Sequence, residues 1–186
     1  MKKCSLLFMT LLAVSGLSAQ RLAVKTNLLY DVTGTFNAGL EFRTAPRWTL
    51  DLSGNYNPLQ YGNNRKMKYW LFQPEVRYWL CEAYNGHFLA LHALGGEFNV
   101  GNMDLYVYPS FKGYRYQGYL YGAGLGYGYQ FVLGSRWNLG LQIGLGWLRA
   151  NYDRYDCVTC GTWLGRGKKD LLGVTKASVS LVYLIK

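Results

Sequence analysis

The sequence lacks any uninterrupted apolar run long enough for a membrane-spanning helix, which needs about 20 residues. The apolar segment Leu6–Val14 is shorter than that, follows Lys2 and Lys3, and is followed by small residues. A basic start, a short apolar core and a small-residue exit are typical of a secretory signal peptide. We therefore predict a signal peptide over residues 1–19 and an exported domain over residues 20–186.

Histidine is scarce, with two in the chain. A serine hydrolase needs a serine and an acid close to its histidine, and no serine lies beside His87 in the sequence. We interpret His92 as part of a polar interior rather than as a general base. We predict no catalytic residues and no enzymatic activity, with a lipid A-modifying barrel enzyme that uses His87 as the alternative.

Cysteine is also scarce, with four residues, of which Cys157 and Cys160 form a C-x-x-C motif. A zinc site would need two further ligands, and no second Cys or His pair follows. A redox motif would open a helix after a strand, and that context is missing. We predict no metal and no cofactor. In an exported loop, Cys157 and Cys160 form a disulfide or remain two thiols that await a partner.

Acidic residues are half as many as basic ones, with 10 Asp and Glu against 20 Lys and Arg. The formal net charge of +10 becomes +8 when Lys2 and Lys3 leave with the signal peptide. An exported chain does not meet nucleic acid, so we predict anionic partners at the cell surface. These are acidic glycans or the phosphates of membrane lipid and lipopolysaccharide.

What the chain has in abundance is glycine and tyrosine, with 23 and 17 residues. Between Trp137 and Trp147, every second residue is Leu, Ile or Trp, and the residues between them are Asn, Gly or Gln. The segment Tyr119–Phe131 repeats this with tyrosines opposite glycines. Alternate residues of a strand point to opposite faces, so one face is bulky and apolar and the other nearly bare. That arrangement is typical of a membrane barrel, with large residues toward lipid.

We predict an all-β fold: an eight-stranded antiparallel up-and-down transmembrane β-barrel. The predicted strands are Leu22–Tyr30, Thr35–Phe42, Trp48–Tyr56, Lys68–Trp79, His87–Phe98, Gln117–Phe131, Trp137–Tyr152 and Leu171–Ile185. Connections alternate between short ones and longer ones, apart from a short loop near Asp31–Gly34, as expected for periplasmic turns and extracellular loops. Pro74 lies inside the fourth strand, where it should remove one ladder hydrogen bond at a bulge or near the membrane rim. A soluble lipocalin-like ligand-binding barrel is the alternative fold.

The same alternation predicts which side chains face the interior. The polar inward-facing set is Lys25, Asn27, Glu41, Asp51, Glu75, Arg77 and Lys176. Its three positive and three negative charges predict a plugged lumen, because buried charges persist only when they are paired. The predicted aromatic girdle consists of Trp48, Trp137 and Trp147. From Trp137 to Trp147, ten steps of about 3.3 Å on a strand tilted by roughly 40° project to about 25 Å along the membrane normal.

Several strings of the sequence resemble exported proteins of Bacteroidota that are grouped as domain of unknown function 3575. The strings are Lys25–Asp31, Asn37–Phe42, Gln73–Trp79, Gly86–Phe88, Gly124–Gln130, Thr175–Ala177 and Leu181–Lys186. The resemblance implies an outer-membrane barrel whose relatives often accompany fimbrial or other surface-assembly loci, and it brings no catalytic residues. It adds cell-surface assembly proteins to the expected partners. We expect a non-enzymatic outer-membrane protein with a structural or accessory role in the cell envelope, surface-fibre assembly being one such role.

Overall fold

A computed structural model describes residues 22–61, 65–102, 113–156 and 161–185. The predicted signal peptide and the candidate disulfide Cys157–Cys160 lie outside these residues. Nine strands and one short helix make up the described chain. They are β1 (Leu22–Asn27), α1 (Leu28–Val32), β2 (Phe36–Ala45), β3 (Trp48–Asn57), β4 (Gln60–Tyr61), β5 (Arg65–Trp79), β6 (Gly86–Gly101), β7 (Arg115–Val132), β8 (Trp137–Tyr155) and β9 (Trp163–Ile185).

Eight of the strands form one closed antiparallel ring. Each long strand pairs with its neighbours in the chain, β3 pairs with β5, and β1 pairs with β9, which joins the two ends of the sheet. The two-residue β4 pairs with the beginning of β5. The predicted all-β fold of eight antiparallel strands is therefore confirmed.

The two ends of the ring differ in their connections. We call the end at which β2–β3, β5–β6 and β7–β8 join the turn end, because those connections are short. The opposite end, where β3–β5, β6–β7 and β8–β9 join, is the loop end. Strands β8 and β9 pair from Trp137↔Tyr183 to Tyr155↔Trp163, so most of the predicted loop Asp153–Asp170 is strand instead.

The first strand is shorter than predicted. The expectation that it continues to Tyr30 is wrong, because β1 ends at Asn27 and the next five residues form α1. The side chain of Asn27 caps this helix by accepting a hydrogen bond from the backbone N–H of Leu29 at 3.2 Å. The helix takes up Asp31 and Val32 of the predicted short loop, and Thr33 and Gly34 form the turn that follows it.

Pro74 interrupts one ladder without shifting its register. The pairing of β5 with β6 skips Gln73 and Pro74, and it resumes at Glu75↔His92 in the same register. On the other side of β5, Pro74 remains opposite Leu52 of β3. A proline has no backbone N–H to donate, so the ladder is lost only on the β6 side. The expected bulge is wrong, since the register does not shift at Pro74, and the position near a membrane rim stays a prediction.

Glycines line the interior where the neighbouring side chains are large. A Cβ added to Gly144 of β8 would lie 2.7 Å from Cε1 of His92, and one on Gly128 of β7 would overlap the ring of Phe88. Large inward side chains on β6 therefore require bare positions on β7 and β8. This packing explains the glycine-rich face of those two strands.

Candidate functional site

Six charged side chains meet in the middle of the ring, and we call them the inner charged cluster. They are Lys25, Glu41, Asp51, Glu75, Arg77 and Lys176, each less than 10% exposed. The strand register brings the three carboxylates into one row, because Glu41 lies opposite Asp51 and Asp51 lies opposite Glu75. Like charges directly opposite each other destabilise a sheet unless cations separate them.

Arg77 bridges this row of carboxylates. Its Nε lies 2.6 Å from Glu75 Oε1, and its Nη1 lies 2.8 Å from Glu41 Oε2. Its Nη2 lies 3.5 Å from Asp51 Oδ2 and donates to Gln142 Oε1 at 2.9 Å. The planar guanidinium therefore contacts every acid of the cluster, which a single ammonium group could not do in this geometry.

Two lysines complete the neutralisation from β1 and β9. Lys25 Nζ lies 2.5 Å from Asp51 Oδ2 and 3.4 Å from Glu41 Oε2. Lys176 Nζ lies 3.0 Å from Glu75 Oε2 and 3.7 Å from Asp51 Oδ2. Three cations thus balance three carboxylates in a site that water hardly reaches. A buried ion set of this kind tolerates the loss of one partner poorly, because the others are left uncompensated.

Three further residues tie the cluster to its surroundings, and the sequence-based set of site residues omitted them. Gln142 donates from Nε2 to Glu75 Oε2 at 2.7 Å, and Thr49 donates from Oγ1 to Glu41 Oε1 at 2.6 Å. Trp79 in turn donates from Nε1 to Thr49 Oγ1 at 2.9 Å. The signal that could have found Trp79 is its position, since it shares the inward parity of Glu75 and Arg77.

An apolar layer closes the interior between the cluster and the turn end. The ring centroid of Trp79 lies 4.8 Å from that of Phe88 and 6.1 Å from that of Tyr84. Tyr84 belongs to the β5–β6 turn, has a φ of 72° and donates from its hydroxyl to the Glu41 carbonyl at 3.0 Å. The turn therefore folds back into the ring. Arg77 joins the two layers, since its guanidinium carbon lies 4.5 Å from the centroid of Phe88.

Asn27 was predicted in the same polar set but lies apart from the inner charged cluster, at the seam between β1 and β9. Its Oδ1 accepts from the backbone N–H of Val179 at 3.2 Å, and its Nδ2 donates to the carbonyl of Ala177 at 3.3 Å. The side chain therefore extends the β1–β9 ladder beyond the last backbone pair and caps α1 as well.

The two histidines occupy different faces. His92 is 1% exposed, and its Nε2 lies 2.8 Å from Thr175 Oγ1, while its Nδ1 lies 3.9 Å from Glu75 Oε2. His87 lies on the outer face near the turn end, with its Nδ1 2.5 Å from the Tyr127 hydroxyl and its ring against Tyr129. His87 thus contacts two tyrosines, Tyr127 through a hydrogen bond and Tyr129 through its ring.

The three predicted girdle tryptophans lie on the outer face. Trp48 and Trp137 are 45% and 47% exposed at the turn end, packed against Tyr78 and Tyr183. Trp147 lies ten residues along β8 toward the loop end, in contact with the ring of Tyr121. The tryptophans therefore stand at two levels of the same surface.

Charged groups appear on the outer face just beyond Trp147. Asp170 Oδ1 accepts from Trp147 Nε1 at 3.1 Å and from Arg149 Nε at 2.7 Å. The hydrogen bond from Arg149 lowers the pKa of Asp170, and hydrogen bonds from Trp163 and Arg166 lower the pKa of Asp153 further along the strands. These acids therefore stay ionised in the folded chain at a pH at which free carboxyl groups begin to protonate.

The described residues contain no group of three or more His, Cys, Asp or Glu side chains placed to hold a metal ion. In the same part of the chain, no helix is both long and apolar enough to span a membrane.

Sequence comparison gives one informative result. No curated protein and no solved structure matches the chain. The profile of the family described as protein of unknown function (DUF3575) matches residues 5–185, which is nearly the whole chain. The chain therefore belongs to the DUF3575 family.

Proposed function

We propose that the protein is an outer-membrane β-barrel with a non-enzymatic, structural or accessory role in the cell envelope, surface-fibre assembly being one such role. The observation that carries this proposal is the outward face of β7 and β8. Between Trp137 and Trp147, and between Tyr121 and Phe131, every outward-facing residue is apolar or aromatic. Leu125 is 70% exposed on this face. An exposed apolar surface of this extent is unfavourable in water and favourable in lipid.

Aromatic rows bound the apolar band on both sides. Trp48 and Trp137 mark the turn side, and Tyr121 and Trp147 mark the loop side. Charged outward side chains begin directly beyond the loop-side row, with the pair Arg149 and Asp170. Aromatic side chains at both edges of an apolar band are typical of the two membrane–water interfaces.

The interior supports a structural role rather than conduction. The inner charged cluster fills the middle of the ring with paired charges, and the layer around Trp79, Tyr84 and Phe88 fills the turn side. A conducting lumen would need an open polar path through both layers. Filled layers instead lock the strands to each other across the ring.

Two alternatives fit the geometry less well. A lipid A-modifying enzyme that uses His87 would need a nucleophile and an acid at its ring, whereas the contacts of His87 are Tyr127 and Tyr129. A soluble lipocalin-like barrel would leave Leu125 and Leu145, which are 70% and 60% exposed, in water. The membrane barrel accounts for both observations.

Membrane insertion is tested with two variants that each retain a single tryptophan, Trp137 or Trp79, and carry Phe at the other five positions. In vesicles that contain brominated phospholipid, we expect strong quenching of Trp137, which is 47% exposed, and weak quenching of Trp79, which is 0% exposed. Heat-modifiable migration and recovery in the outer-membrane fraction should accompany this result. Recovery as a water-soluble protein with Trp137 unquenched would contradict the proposal.

The non-enzymatic role is tested by deletion and complementation. We expect a deletion strain to have a weakened envelope or fewer surface fibres while its lipid A stays unchanged. The His87→Ala variant should restore the wild-type phenotype, because the imidazole bonds to the Tyr127 hydroxyl and packs on Tyr129, contacts that serve packing on the outer face. A change in lipid A that depends on His87 would contradict the proposal and favour the enzyme.

A further inference from the structure

The seam between β1 and β9 closes the ring over only part of its height. Six residue pairs join the two strands, from Leu22↔Ile185 to Asn27↔Ser180. The Asn27 side chain extends the contact to the backbone of Val179 and Ala177. Among the described residues, no strand pairs with this edge of β9 between Trp163 and Ala177. Backbone pairing across the seam therefore ends at Asn27, and α1 lies beside β9 beyond that point. We call the unpaired stretch between α1 and β9 the opening.

Both sides of the opening are apolar. On one side stands α1, where Leu29 and Val32 are 46% and 87% exposed. On the other side, Leu172 and Val174 of β9 are 86% and 62% exposed. Leu172 lies opposite Trp147 and Val174 lies opposite Leu145 in the ladder, so the opening reaches from the apolar band to its loop-side row.

A cavity of about 390 Å³ lies behind the opening. Tyr30 of α1 and both Val174 and Thr175 of β9 line it, so both sides of the opening border the same space. Its further wall includes the apolar side chains Leu94, Leu120 and Leu148. The volume falls in the range of small-molecule sites, about 300–1,000 Å³.

We propose that this cavity holds one acyl chain of a membrane lipid, which enters sideways between α1 and β9. The inference rests on the proposed membrane location. A polar ligand would lose its hydrogen bonds to water against this lining, whereas an alkyl chain restores the dispersion contacts that an empty apolar space forgoes. An open strand edge at membrane depth is tolerated where it lines a cavity, as β9 does here.

The outer face above the opening suits the headgroup of the same lipid. Lys168 of β9 and Arg149 of β8, which is already paired with Asp170, project outward just beyond Leu172, on the loop side of the band. A phospholipid with its chain in the cavity would place its phosphate near these cations. The geometry thus points to a lipid that stays anchored in the outer leaflet rather than to a free fatty acid.

The test is native mass spectrometry of the full mature chain, extracted from membranes into mild detergent. The wild-type protein should retain one phospholipid or lipid A molecule per chain. Leu120→Trp fills the cavity and should lower retention by about tenfold or more. Leu125→Trp adds the same side chain to the outer face of β7, where Leu125 is 70% exposed, and should retain lipid like the wild type.

Folding is checked by heat-modifiable migration. If Leu120→Trp does not fold, a second pair on β8 replaces it in the same measurement of retained lipid. Leu148→Phe changes the cavity and should lower retention, whereas Leu145→Phe changes the outer face and should not. Equal retention by cavity and surface variants, or no retention by the wild type, would overturn the inference. If the protein retained only free fatty acid, the inference that the acyl chain belongs to a membrane lipid would be wrong. Quenching of Trp137 by brominated lipid with no retained lipid would overturn the cavity assignment alone, whereas an unquenched Trp137 would overturn the membrane location.

Discussion

The two halves of the ring interior are packed in opposite ways. In the turn half, the inner charged cluster and the apolar layer of Trp79 and Phe88 leave these side chains almost fully buried. In the loop half, the cavity of about 390 Å³ that is lined by Leu94, Leu120 and Leu148 remains unfilled. The strands continue with regular pairing through both halves. Backbone pairing alone therefore does not fill a ring of eight strands, and the side chains decide which half is rigid.

The difference separates stability from binding within one fold. Close packing contributes free energy of folding, and a complete buried ion set makes the loss of any one of its charges costly. Unfilled space lacks these packing contacts but leaves room for a ligand. We infer that the turn half holds the ring together and that the loop half binds the ligand. The predictions below therefore compare the turn half with the loop half.

The largest effect is expected from Arg77→Met. The substitution leaves three buried carboxylates with two lysines, so it should lower the free energy of unfolding by about 3–5 kcal/mol, the range for breaking a buried ion pair. Urea unfolding of protein refolded in lipid vesicles measures it. The matched control is Arg149→Met, which removes the same charge from the exposed pair with Asp170 in the loop half and should change little. Equal effects of the two substitutions would show that the cluster is not what holds the ring together.

A smaller effect is expected from two phenylalanines on the same strand. Phe88 is 1% exposed and packs on Trp79, whereas Phe98 lines the loop-half cavity and is partly exposed. Phe88→Leu should lower the free energy of unfolding by about 1–2 kcal/mol because the space cannot collapse. Phe98→Leu should cost well under about 1 kcal/mol, because its surroundings are already incomplete. The same unfolding assay measures both, and a larger cost at Phe98 would reverse the assignment of the two halves.

The sequence allowed the turn half to be predicted better than the loop half. Strand geometry alternates side chains with period two, so Glu75 and Arg77 had to share a face once β5 was recognised. The end of β1 at Asn27 could not be predicted in this way. Leu28 and Tyr30 continue the alternation of β1, and an asparagine suits an inward-facing strand position as well as a helix cap. Whether the chain stays in the sheet there depends on its pairing with β9, which is 150 residues away in sequence and invisible to a local pattern.

The smallest effect is expected from acid on the loop-end extension of β8 and β9. The folded chain lowers the pKa of Asp170 and of Asp153, so their pairing stabilises the extension above the pKa of a free carboxyl group, about 4. This contribution is lost as the pH falls through the lower, folded pKa values. Hydrogen exchange of the backbone between Arg149 and Tyr155 should therefore accelerate at acid pH, relative to the intrinsic rate, while the backbone beside Gln142 stays protected. Asp170→Asn should accelerate exchange already at neutral pH and remove much of the pH dependence near Trp147. Uniform loss of protection along β8 would mean that the two halves open as one unit and would contradict the comparison.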